Sequence, residues 1–319
     1  MKITTVATLA LLLLCFPAAA QEKVDLRLRL KKGDVHRLRV TVEQHVEQKA
    51  ASGKQAIDQT MGVDYSLSVD DVGADGAMAV TMKYDAVRFR YKGPSGAAEY
   101  DSAKPPKDVP AAARGFAAMH GLAVKMRVAP TGQVTAVERI EELMDEILRK
   151  LNLPEGPQKV AARKVLGDQF GEAAMKQNLQ TMFALYPDGP VAVGDSWQRK
   201  VTTSKGMPAV LEATYTLKGR ASGACTIELH AKVAPNPDAP PVEMGTGKMA
   251  YELSGEQRGT MEVDESSGLP RKMTTAQDVS GTMTYKTTAY GNSPGGRRND
   301  SGETTSEISV KEKVTLEPL

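Results

Sequence analysis

Val24, Leu26, Leu28 and Leu30 alternate with Asp25, Arg27 and Arg29. A two-residue period puts aliphatic side chains on one side of an extended chain and charges on the other, which predicts a half-buried strand. After a turn at Lys32, Gly33 and Asp34 the alternation resumes, with Leu38, Val40, Val42 and Val46 set against Arg37, Arg39, Glu43 and Glu47. Ile57, Met61, Val63, Tyr65, Leu67 and Val69 continue it. A turn through Asp71, Gly73, Asp75 and Gly76 leads to Met78, Val80, Met82 and Tyr84, so these two arms predict a long antiparallel hairpin. The apolar phase then slips by one residue to Val87, Phe89 and Tyr91, which predicts a β-bulge near Asp85 and Ala86. At about 3.3 Å per residue, arms of about fifteen residues span roughly 50 Å. Strands of that length coil, so a curved half-barrel is expected rather than a flat sandwich.

The period changes mid-chain. Ile140, Leu143, Met144, Ile147, Leu148 and Leu151 recur at helical spacing. Acidic residues at the start (Glu141, Glu142, Asp145, Glu146) and Arg149 and Lys150 at the end suit the helix dipole. Pro154, Gly156 and Pro157 break this helix. A second helical stretch carries Val160, Val165, Phe170, Met175, Leu179, Met182 and Phe183 and stops at the Pro187 to Pro190 turn. From Val191 onward alternation returns, interrupted at 235–241 and at the Gly- and Arg-rich segment 291–302, and closes through Ile308, Val310, Val314 and Leu316. The expected fold is mainly β (α+β): a large curved antiparallel sheet or half-barrel of roughly thirteen or fourteen strands, with a central helical insertion packed on it. Gly33–Asp34 followed by Val40–Thr41 recurs at the same spacing as Gly194–Asp195 followed by Val201–Thr202, and Tyr65–Leu67 is echoed by Tyr215–Leu217. These echoes suggest two related β modules. The expected organisation is 1–20 as a leader, 21–137 as the first β module, 138–187 as the helical segment and 188–319 as the second β module, folded as one integrated domain.

Residues 1–20 have one early cation, Lys2, an apolar run from Val6 to Phe16 and an ending of Pro17, Ala18, Ala19 and Ala20. This reads as a cleaved secretory signal peptide, and export to the periplasm or beyond follows. Lipid anchoring through Cys15 is disfavoured because Leu14 precedes it, where a small residue is wanted. No other segment approaches the roughly 20 apolar residues of a membrane span. Cleavage would leave Cys225 alone, so no internal disulfide can form. A buried, inert thiol is the simple reading and a reactive one the alternative. With 41 Lys plus Arg against 39 Asp plus Glu, the charge balance gives no basic face for nucleic acid.

Catalytic motifs are lacking. Gly93 to Gly96 and Gly194 to Trp197 fail the nucleophile-elbow pattern, and Gly245 to Lys248 lacks the earlier glycine of a phosphate-binding loop. His36, His45, His120 and His230 are spread over separate segments without ligand spacing, so no metal or cofactor is expected. Asp71, Asp75 and Gly76 fall short of a calcium loop, since Gly73 and Met82 stand where acceptors are required. The chain reads as non-enzymatic. Its compositional oddity is 15 methionines. Met61, Met78, Met82, Met126 and Met261, with Tyr65, would present an adaptable apolar surface, which suits either an irregular core or a cavity for a flexible apolar ligand.

Over Val191 to Trp197, the Leu28 to Val42 strand pair and the segment Met261 to Pro270, the chain resembles an uncharacterised family of secreted bacterial proteins. The last segment, a strand entering an acidic Gly-Leu-Pro hairpin, is also similar to strands of the LolA-like lipoprotein carriers. That resemblance implies a half-barrel holding acyl chains beneath helices. Two functions are thus expected: binding or carrying an amphiphilic, lipid-like ligand in an apolar cleft, or acting as an envelope interaction module with a protein partner and no small ligand.

Overall fold

The structure, a computed structural model, describes residues 22–51, 53–183, 185–203, 207–244, 247–287 and 302–319. The leader with Cys15, the segment 288–301 and residues 245 and 246 lie outside these, as do the side chains of Val165, Phe170, Met182 and Phe183. Thirteen strands form one antiparallel sheet: β1 (Val35–Ala50), β2 (Gly53–Val72), β3 (Met78–Gly93), β4 (Gly96–Asp101), β5 (Ala123–Val128), β6 (Val134–Glu138), β7 (Ser196–Thr202), β8 (Ala209–Ala221), β9 (Ala224–Pro235), β10 (Val242–Met244), β11 (Gly247–Asp264), β12 (Pro270–Thr287) and β13 (Glu303–Pro318). Their order is β6-β5-β3-β2-β1-β13-β12-β11-β9-β8-β7, with β4 on β3 and β10 on β11. The first and last long strands, β1 and β13, therefore pair at the centre. The helices are α1 (Arg114–Met119), α2 (Ile140–Leu151), α3 (Pro157–Phe170) and α4 (Glu172–Phe183).

Register explains the alternation. Leu38 faces Tyr65, Tyr65 faces Tyr84, and Val40 faces both Val63 and Leu316, so every inward position shares one face of the sheet. The slip predicted near Asp85 is present: Asp64 pairs with Ala86 and Tyr65 with Tyr84, leaving Asp85 over. On the outer face Asp64 receives bidentate bonds from both Arg39 (2.7 and 2.9 Å) and Arg88 (3.0 Å each). Glycines let the sheet coil. A Cβ on Gly255 or Gly281 would stand 2.0 or 1.9 Å from the neighbouring strand's carbonyl, Asp278 or Glu252.

The two echoed segments adopt the same hydrogen-bond set. The Gly33 amide bonds the Val69 carbonyl while the Val69 amide bonds that of Asp34, and Gly194, Leu217 and Asp195 repeat this. The Asp34 carboxylate accepts from the Lys31 amide as Asp195 accepts from that of Ala192. Each partner strand then carries a one-residue bulge, at Asp70 and at Lys218. These bonds make Val69 the counterpart of Leu217, two residues out of step with the echo of Tyr65–Leu67 in Tyr215–Leu217.

Val24 to Leu30 corrects an expectation. It buries Val24, Leu26, Leu28 and Leu30 as its period requires, yet apart from a single bridge to Val191 it joins no strand. Its amides instead reach across the fold: Leu28 to the Pro130 carbonyl (2.9 Å) and Arg29 to that of Ser267 (2.8 Å), with Val24 and Val191 bonding each other. This clasp ties the β5–β6 turn to the β11–β12 turn. The latter is a knot of its own, in which one Asp264 oxygen accepts from the amides and hydroxyls of Ser266 and Ser267 and the other pairs with Arg271.

α2 runs over the expected residues and buries Ile140, Leu143, Met144, Ile147 and Leu148. The later helical stretch is two helices, parted at Gly171, whose extended backbone (ψ 160°) stops α3. α1, unanticipated, is a six-residue turn of helix within the first β module that stacks Phe116 on Phe89. α4 seals one sheet edge: the Gln180 side-chain oxygen Oε1 accepts from the Val134 amide (2.8 Å) and Lys176 donates to the Thr135 carbonyl. An unsealed edge is a template for unwanted pairing. Gln180→Leu is expected to cost about 1 kcal/mol and to speed amide exchange at Val134, which hydrogen-exchange mass spectrometry reads directly.

Candidate functional site

Five of the six residues singled out in the sequence share one extended core that crosses the sheet from β5 to β11. Tyr65, Met78, Met82, Met126 and Met261 belong to one core cluster, each no more than 4% exposed. Sheet register brings them there from opposite halves of the chain: Val80 pairs with Met126 on β5, and Met261 with Met273 on β12. Met61 lies apart, half-buried against Phe89 and Tyr100 under α1. Three methionines not singled out join the core: Met144 of α2, Met175 of α4 and, partly buried, Met273. Their helical or strand periodicity was the available signal. The space expected as an apolar cleft between helices and sheet is occupied by these side chains, together with Leu26, Leu28, Leu179 and Tyr186.

The cover over this core is uneven. α2 is anchored by five buried apolar residues. Among the described side chains of α3 only Leu166 is buried, with Ala162 packed beside it, while Val160 is 71% exposed. Among its described side chains the other fastenings are charged: Arg163 reaches Asp145 (2.5 Å) and Glu141 (2.9 Å) of α2, and Lys164 reaches Glu243 (2.5 Å). Exposed pairs of this kind contribute about 0–1 kcal/mol each.

The open concavities lie elsewhere. A groove of about 600 Å³ crosses β2, β1, β13, β12 and β11, lined by Glu43, His45, Asp58, Arg258, Lys311 and Lys313 among others. Neighbouring hollows of about 600 and 550 Å³ continue it past His230 to Lys200 and Lys232. These residues have the parity of the outer face. Their charges are largely paired with one another: His45 with Asp58 (2.6 Å), Arg258 with Glu256 (2.7 Å) and Lys311 with Asp278 (3.9 Å). The hydrogen bond that His45 makes to the Asp58 carboxylate raises the His45 pKa. Such a groove is a solvated waist of a coiled sheet. None of the six singled-out residues lines it.

Histidines, carboxylates and Cys225 form no group of metal-binding geometry among the described residues. Burial, seconded by the Glu265 charge, pushes the Cys225 thiol up. It is fully buried. A disulfide reagent such as 5,5′-dithiobis(2-nitrobenzoate) should therefore leave Cys225 unmodified in native protein and react promptly once urea unfolds it. Rapid native labelling would contradict the inert reading.

Two polar atoms inside the apolar face stand out. The Tyr65 hydroxyl and His36 Nε2 are buried with no hydrogen-bond partner among the described residues. Burial, with the Tyr84 charge adding to it, raises the Tyr65 pKa. Midway along the same face, Glu312 accepts from Gln44 (3.2 Å), and desolvation raises its carboxyl.

No helix among the described residues is long and apolar enough to cross a membrane. Among solved structures, lipovitellin, from a study titled for its lipid–protein interactions, matches 91% of this chain and 25% of its own, at 9% identity and a TM-score of 0.45. The chain thus spans a quarter of that protein's length. The Pseudomonas aeruginosa proteins OpdQ (6% identity, 90% of this chain, 99% of that one) and OccK2 in complex with glucuronate (9%, 91%, 99%) both match at a TM-score of 0.17. No curated protein matches. A family model matches residues 75–270, from β3 through the helices to the end of β11, and on that match the chain belongs to the family of unknown function DUF6263.

Proposed function

We propose that this protein is an exported, non-enzymatic binder of an amphiphilic molecule, whose alkyl portion enters the methionine-rich interior when the helical cover opens. The observation that carries the reading is the presence of Met78, Met82, Met126 and Met261 of the sheet, with Met144 of α2 and Met175 of α4, in one buried cluster, to which α3 adds only Leu166 among its described buried side chains. Unbranched thioether side chains repack at low cost. Each ligand methylene taken from water contributes about 0.8 kcal/mol, so a ligand of ten or so methylenes could offset loss of the α3 ion pairs. Organic extraction of protein purified from its native compartment, followed by mass spectrometry, is expected to recover an alkyl-chain compound in near-stoichiometric amount. A clean extract, together with no uptake of a fluorescent fatty-acid analogue, would sink the reading.

A second reading, an envelope interaction module without a small ligand, is favoured by the filled interior. Stoichiometric capture of one envelope protein by a ligand-free sample would support it.

A further inference from the structure

We propose that the interior holds a specific head-group anchor, in which an uncharged oxygen function at the end of an alkyl chain, a hydroxyl or a protonated carboxyl, accepts a hydrogen bond from Tyr65 and donates one to Nε2 of His36. This rests on the amphiphile reading above and adds the class of ligand. Tyr65 is 3% exposed and belongs to the methionine core, and its hydroxyl has no partner among the described residues. His36 lies on the adjacent strand with the same inward parity: Leu38 is opposite Tyr65 and His36 opposite Leu67, which makes His36 and Tyr65 diagonal neighbours on one face. Diagonal positions of a sheet are about 7–8 Å apart, within reach of long aromatic side chains. Two unpartnered buried polar atoms at diagonal positions on one face of the sheet are unusual, because buried polar groups are nearly always satisfied.

The surroundings select against charge. The described buried charged residues are Asp64 and Asp264, and each is already paired with arginine. Among the described residues a third unpartnered buried atom, Nε of Arg220, belongs to a guanidinium that Glu265 already neutralises. A phosphate or carboxylate brought inside would lose its hydration without a counter-charge, at a cost that a neutral hydroxyl avoids. Met82 is diagonal to Tyr65 on β3, because it pairs with Leu67. An alkyl tail leaving the anchor toward β3 would therefore meet the Met82 thioether.

The test is displacement of 1-aminoanthracene from the full chain by 1-dodecanol, dodecanoic acid and dodecane, with wild type, Tyr65→Phe and His36→Phe compared. Wild type should bind 1-dodecanol about tenfold more tightly than dodecane, the effect of a matched hydrogen bond. Either variant should lose that preference while retaining affinity for dodecane. Tyr65→Phe should also melt at a higher temperature without ligand, since it deletes an unsatisfied hydroxyl. Should dodecanoic acid compete only at low pH, the protonated carboxyl is the form bound. Binding of dodecane and 1-dodecanol with equal affinity, or an unchanged preference in both variants, would overturn the anchor and leave the amphiphile reading standing. Failure of all three chains to displace the probe would overturn both.

Discussion

Gly268→Ala is expected to destabilise the protein by about 2–5 kcal/mol, with little change in the slope of urea unfolding. Gly268 has φ +72°, a region that costs other residues roughly 1–2 kcal/mol, and a Cβ there would stand 2.0 Å from the Arg27 carbonyl oxygen. Relief of that clash must move either the clasp or the β11–β12 turn. Both are committed, since the Gly268 carbonyl accepts from the buried Tyr186 hydroxyl (2.7 Å) and its amide bonds the Asp264 carbonyl (2.8 Å). Gly223→Ala is the matched control. Gly223 shares φ +72° but has open space where a Cβ would go, so it should show the backbone cost alone, about 1–2 kcal/mol. Equal losses in the two variants would mean that the clasp contributes nothing.

Asp64→Asn should cost about 2 kcal/mol at neutral pH, and the loss should vanish in acid. The bidentate hydrogen bonds from Arg39, with those of Arg88 next, hold the Asp64 carboxyl at about 2 against an ordinary 3.8. A depressed folded-state pKa contributes stability that is fully present above about pH 4 and is lost as pH falls toward 2, at about 1.4 kcal/mol per unit of difference. The arginine side chains are 34% and 37% exposed, so solvent screening keeps the loss below the roughly 3–5 kcal/mol of breaking a fully buried pair. Because other carboxylates also titrate in this range, the informative quantity is the stability of wild type minus that of Asp64→Asn between pH 2 and 7. A difference independent of pH would assign the effect to packing rather than charge.

Much of this architecture was legible because long strands repeat their two-residue period over many positions, and the one-residue slip at Asp85 is visible only against so regular a background. α2 was equally readable, with a clean apolar stripe, an acidic start and a basic end. Val24 to Leu30 shows the limit of such evidence. Alternation records that two sides of an extended chain meet different surroundings, and the clasp satisfies that by lying across a core rather than within a sheet. α1 escaped notice because six residues with few apolar anchors cannot display a period. The site was only half legible. Strand parity could place Met78, Met82, Met126 and Met261 inward, but whether inward meant cleft or core depended on how deeply α2 and α4 settle, a packing outcome without a local signature. His36 shared the inward parity of Leu38 and Val40 all along. What the sequence lacked was the pairing of His36 beside Tyr65, since that follows from the β1–β2 register.

The proposed route for an alkyl chain into the methionine core passes α3, where Leu166 is the one buried residue among the described side chains. Methyl-labelled methionine NMR of the folded protein, titrated with 1-dodecanol, tests it most directly. The account predicts saturable shifts at Met78, Met82, Met126 and Met261, with Met249 and Met283 at the far end of β11 and β12 unmoved. Shifts spread evenly over all methionines, or absent from the core four at saturating alcohol, would contradict it.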